Sequence, residues 1–205
     1  MKKVLYSIVL TVLAVASSYA GEDEGGSKVS FNIGGGFSAP LGRFSRNYVL
    51  GTNLGATINI DLKKNSSLFI DGRCHSFNIA AGAYGFSDST TLSGGATSII
   101  SVVGGAKYTL PSRSKIRFYE LAGLGLCLQH FDDLFAKSII VTPYDRKTVD
   151  EMLSIHSKAG VGLVAGSGLI WELSPTLSLF GEIRLVIFLG QNNFLPVVLG
   201  IHFKL

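Results

Sequence analysis

Asp71, Arg73 and His75 alternate along "FIDGRCHSFN", and Glu182 and Arg184 alternate in the same way along "LFGEIRLVIF". Carboxylates and cations on alternate residues of a strand share one face. Two chemistries suit such a face. One is a charged gate or proton path. The other is a set of ion pairs that neutralise each other where bulk water is scarce, and this is the reading adopted, with Lys107 and Lys158 as further members. His156, His202 and Lys204 read as polar residues near the ends of the same face.

His75 is followed by Ser76, and a histidine poised on a serine hydroxyl is the pairing acyl transfer needs. Adjacent strand residues point to opposite faces, however, and no acidic third member stands nearby. "GGGF" and "GVGLVAGSG" lack the Lys-Ser/Thr ending of a phosphate loop and read as strand glycines. Cys74 and Cys127 form no CxxC pair and lie in stretches two strands apart, so two unbridged thiols are expected. Nothing has metal-ligand spacing. No metal, cofactor or catalytic residue is expected.

These residues need strands to position them, and the chain supplies alternation segment after segment. Apolar residues recur at every second position in Lys28–Ser38, Tyr48–Leu62, Ser67–Ser76, Thr97–Leu110, Lys115–Gln129, Ser154–Trp171, Thr176–Phe188 and Leu195–Leu205. The connections alternate in length. "KKNS" (Lys63–Ser66), "PSRS" (Pro111–Ser114) and "ELSP" (Glu172–Pro175) are tight. Ala39–Asn47, Phe77–Ala96, His130–Leu153 and Leu189–Leu195 are longer. That order predicts an up-and-down meander rather than a Greek key.

Alternation does not say which face lies inside. Three features put the apolar face outward, toward lipid. The polar face mixes glycine with opposite charges, as a narrow eight-stranded lumen requires. Phe31, Tyr108, Phe118, Trp171 and Phe203 gather near the tight turns, where an interfacial aromatic belt belongs. The apolar faces carry almost no charge over the length a tilted strand needs to cross a bilayer. Glu120 is the exception. It falls on the apolar face, which places it near the interface or calls for a register-shifting bulge.

The chain has 205 residues, 47% hydrophobic and only 16% charged. Its mean hydropathy is +0.39. It opens with Lys2 and Lys3, an apolar run from Val4 to Ala16 and the small-residue site Ser18-Tyr19-Ala20. This reads as a cleaved secretory signal over 1–20, followed by a short lead over 21–27 and the strand domain over 28–205. Without Lys2 and Lys3 the net charge falls from +4 to +2, and no basic cluster points to nucleic acid. No apolar run after the signal is long enough for a transmembrane helix.

Several motifs resemble the small outer-membrane β-barrel proteins of the OmpA/OmpX type. "GGGFSAPLGRFSRNY" (Gly34–Tyr48), with Pro40-x-Gly42-x-Phe44, is similar to that family's first strand and loop. "KAGVGL" (Lys158–Leu163) and "LSPTLSLFGEIR" (Leu173–Arg184) resemble its sixth and seventh strands. "LGIHFKL" resembles its C-terminal insertion signal, with Gly200, Phe203 and Leu205, although the last residue is more often aromatic. The resemblance implies an all-β, eight-stranded antiparallel transmembrane barrel in the outer membrane of a Gram-negative-type bacterium. It implies outer-membrane lipid and the barrel assembly machinery as partners, the latter through the C-terminal strand. The long loops, above all "HFDDLFAKSIIVTPYDRKTVDEML", are where a surface ligand would bind. The role expected is structural or surface-interacting and non-catalytic. Passage of small apolar molecules, as in OmpW-like relatives, is the second reading, and a lipid-modifying enzyme the third.

Overall fold

The computed structural model describes residues 29–63, 65–80, 83, 91–141, 146–153, 157–189 and 192–205. The expected signal over 1–20 and lead over 21–27, with Lys28 and His156, lie outside the described residues.

The wall consists of β1 (Val29–Leu41), β2 (Gly51–Lys63), β3 (Ser66–Phe77), β5 (Thr97–Thr109), β6 (Ile116–Phe131), β9 (Lys158–Glu172), β10 (Leu177–Phe188) and β11 (Asn193–Lys204). Between them lie β4 (Thr91–Gly94), β7 (Leu134–Val141) and β8 (Arg146–Leu153). The eight wall strands close in the order β1-β11-β10-β9-β6-β5-β3-β2, every pair antiparallel. β11 pairs with β1 from Asn193 opposite Leu41 to Lys204 opposite Ser30, and the Leu205 amide donates to the Val29 carbonyl at 3.2 Å. The terminal strand thus removes both sheet edges, and the wall's backbone groups pair with one another, as hydrocarbon demands.

The faces are inverted relative to a soluble barrel. Ile33, Leu54, Leu124, Leu126 and Leu199 point outward and are exposed, Leu126 at 71%. Asp71, Arg73, Glu182, Arg184, Asn59 and His202 point inward and are buried. No helix among the described residues is long and apolar enough to cross a membrane.

Glu120 is outward and exposed, opposite Tyr108 on β5 and Ser167 on β9. Both ladders run through it without a register shift, so no bulge turns it inward. It stands on the tight-turn half of β6, among Tyr108 and Phe118, where water and headgroups can solvate a carboxylate.

One connection differs from expectation. β11 begins at Asn193 rather than Leu195, because Asn193 and Phe194 already pair with Leu41 and Pro40. The last loop is correspondingly short. The longest loop carries two strands, β7 and β8. β7 and β8 continue the β6–β9 hairpin beyond the wall, and β4 pairs with β7 to make a second sheet in the order β4-β7-β8. Hydrogen bonds from Asp132 to Ala96 (2.9 Å) and from Gly95 to Asp133 (3.0 Å) join this arm to the mouth.

Candidate functional site: a braced and plugged lumen

β3 and β10 lie on opposite sides of the closed ring. Asp71 and Arg73 come from one wall, Glu182 and Arg184 from the other, and they meet across the lumen. Arg184 Nη1 reaches Asp71 Oδ2 at 2.9 Å, and Arg73 Nη2 reaches Asp71 Oδ1 at 3.1 Å. Arg184 Nε also donates to Glu182 Oε1. Two carboxylates and two guanidinium groups cancel in charge. Neutral donors add to the shell: Thr57 donates to Asp71 at 2.6 Å and Tyr119 to Glu182 at 2.8 Å, while Arg73 Nε keeps no hydrogen-bond partner. Buried charges persist only when paired and hydrogen-bonded in this way.

The network continues toward the loop side. Arg73 Nη1 donates to Asn53 Oδ1 at 3.1 Å, and the Asn53 amide donates to Ser38 Oγ at 3.1 Å. Ser38 Oγ lies 2.9 Å from His75 Nδ1. His75 therefore meets Ser38, not Ser76. Ser76 points out of the wall while His75 points in, as strand parity requires.

Two residues expected in ion pairs stand elsewhere. Lys107 donates to Asn59 Oδ1 at 2.7 Å and lies over the Tyr119 ring at 5.4 Å. It sits in a layer closer to the tight turns, linked through Asn59 and Asn32 to His202, and among the described residues no carboxylate contacts its ammonium. Lys158 is at the loop-side mouth, exposed, 5.8 Å from the Phe131 ring. Open to water, it needs no counter-charge. An unexpected cluster forms instead at the tight-turn mouth, where Glu172 Oε1 accepts from Arg117 at 2.6 Å and Lys204 at 2.8 Å.

Above the polar layers the lumen closes with aromatic rings. Gly42, at φ 59°, turns the chain out of β1, and a short 3-10 turn (Phe44–Arg46) carries Phe44 back over the mouth. Phe44 packs at 4.8 Å from both Tyr48 and Phe77, and Phe77 packs at 5.6 Å from Phe194. Phe194 in turn meets the His75 ring at 4.6 Å. All five rings are buried. The Pro-x-Gly-x-Phe pattern in the sequence is thus a turn followed by a plug. Phe44→Ala is expected to cost about 3–5 kcal/mol, read as a lower urea midpoint for unfolding from lipid vesicles.

Gly200 has a packing reason for being glycine. A Cβ there would stand 2.2 Å from the Ile33 carbonyl oxygen and 2.6 Å from the Phe180 ring, which also lies over Gly34. Phe203 and Leu205 are exposed on the outer face. So are Tyr108, Phe118 and Trp171, all toward the tight turns, while Phe31 packs with Val29 and Ile58. Cys74 lies on the outer face and Cys127 in the lumen, both as free thiols. No group of His, Cys, Asp and Glu among the described residues has a metal-holding arrangement.

Inward Tyr119, Thr57 and Asn53 complete the brace, yet only their parity marks them in the sequence. Nothing in the local pattern marks Phe44 as a plug.

No protein-family model matches the chain. No curated protein matches it either. Solved structures do. Neisserial surface protein A, NspA, aligns with a TM-score of 0.54 at 15% identity, covering 89% of this chain and 100% of that one. The outer membrane protein OprG from Pseudomonas aeruginosa aligns at 0.52 and 14% identity, covering 90% of this chain and 99% of that one. At such identities the likeness establishes the fold. With closed eight-strand pairing and an apolar outer wall, the chain has the architecture of the small outer-membrane β-barrels of the OmpA/OmpX type.

Proposed function

We propose that this barrel is a structural and surface-interacting protein of the outer membrane, without catalysis and without an open conduction path. The observation that carries this reading is the filled lumen, braced wall to wall by Asp71–Arg184 and closed by Phe44, Phe77 and Phe194. Eight strands leave an interior that side chains can fill, and here they do. The β4-β7-β8 arm supplies the surface for a ligand, since exposed loops on a rigid scaffold are where recognition sits. The outward aromatics form the interfacial belt. β11 is the strand that the assembly machinery reads, and outer-membrane lipid is the constant partner.

Two measurements test this. In planar bilayers the purified barrel is expected to give no discrete conductance steps; regular steps would overturn the sealed lumen. Replacing residues 134–153 by a short turn from β6 to β9 should leave the boiling-dependent gel shift of a folded barrel intact. It should also abolish adhesion of cells carrying the protein to immobilised matrix and serum proteins. Equal adhesion with and without the arm would sink the arm's role.

A further inference from the structure

The charges of the mid-lumen brace cancel, but those at the tight-turn mouth do not. Lys107, Arg113, Arg117 and Lys204 stand there as cations, with Asp61 and Glu172 as the carboxylates. A single oxygen of Glu172 serves both Arg117 and Lys204. Beside them an open cavity of about 470 Å³ lies between Asn65 of the β2–β3 turn and the β5–β6 hairpin, lined there by Thr109 to Arg113 and Arg117. Among the described residues no carboxylate lines it. The Arg117 Nε is buried and has no hydrogen-bond partner. A buried guanidinium N–H left without an acceptor is costly, so it marks a place where an acceptor belongs.

We propose that this cavity binds a phosphate group. Arg117 lines the cavity from the wall, its Nε–H still without an acceptor, and Arg113 brings a second guanidinium from the turn, with Asn65 and Thr109 as neutral donors. Planar guanidinium forks match the oxygens of a phosphate, and two of them from different sides suit a tetrahedral anion with several acceptors. The Ser112 hydroxyl is already engaged with Ser114 and the Ile116 carbonyl and contributes shape rather than a donor. The tight turns of such barrels face the periplasm. The phosphate there is that of a soluble ester or of a phospholipid headgroup in the adjoining leaflet.

The test uses the folded barrel in an uncharged, phosphate-free maltoside detergent, titrated with inorganic phosphate by calorimetry and by NMR of the arginine Nε–H signals. Saturable binding that shifts the Arg117 signal is expected, weakened about tenfold or more by Arg117→Lys and by Arg113→Gln. Arg113 lies on an exposed turn, so its variant reports even if Arg117→Lys folds poorly. Repeating the titration in phospholipid nanodiscs identifies the source: retained binding points to a soluble ester, and lost binding to a headgroup already seated. Absence of saturable binding in detergent, or affinity unchanged by Arg113→Gln with no shift at Arg117, would overturn the proposal.

Discussion

Arg184→Ala is expected to destabilise the barrel by about 3–5 kcal/mol, because it strands the Glu182 carboxylate in the lumen and removes one of the two partners of Asp71. Among the described residues Arg184 is the one that pairs with both Asp71 and Glu182, and its side chain is 3% exposed. Removing it leaves Asp71 paired with Arg73 and leaves Glu182 with only the Tyr119 hydroxyl. The lumen then carries one uncompensated negative charge. Removing Glu182 as well restores the balance, so Glu182→Gln/Arg184→Gln should cost less than Arg184→Gln alone. That inversion separates charge compensation from lost packing, which would grow with each substitution. Equilibrium urea unfolding from lipid vesicles measures both variants. A double variant less stable than the single one would show that the brace acts by shape and not by charge.

Leu124→Arg should have an effect nearly as large, for a different reason. Leu124 lies at the middle of β6, points outward and is 65% exposed. A cation at the bilayer midplane costs about 2–4 kcal/mol, and the cost falls to about 0–1 kcal/mol near the interface. Ile116 begins the same strand on the same face. Ile116→Arg should therefore be nearly silent while Leu124→Arg is severe. Water outside the wall would predict the opposite pattern, with both changes harmless. The comparison is internal to one strand, so strand propensity and hairpin chemistry cancel.

The wall was legible in the sequence because its signal is local. Period-2 alternation fixes strand existence and face, and Leu124, Leu126 and Leu128 against Gly123, Gly125 and Cys127 leave no doubt about β6. The same parity placed Glu120 outward, where the unbroken ladders put it. Pairings across the lumen are another matter. Asp71 and Arg184 meet because closure sets β3 opposite β10, and the stagger between strands decides which layers face each other. No local pattern encodes that stagger, so Lys107 was grouped with acids that lie in another layer. Parity alone marks Tyr119 as inward, between outward Phe118 and Glu120, and nothing local pairs it with Glu182 on a distant strand. The plug depends on a single turn at Gly42, and the arm on pairing between β4 and β7, segments far apart in the chain.

The central claim is that the apolar wall faces lipid. Trp171 is the only tryptophan of the chain, lies outward on β9 near a tight turn, and is 48% exposed. Its fluorescence in vesicles of brominated lipids therefore tests the claim on the native protein, without substitution. Strong quenching is expected from bromine placed high on the acyl chain, near the headgroups, weaker quenching from bromine near the bilayer centre, and little from iodide in the water. Ready quenching by iodide with no response to brominated lipid would contradict a lipid-facing wall.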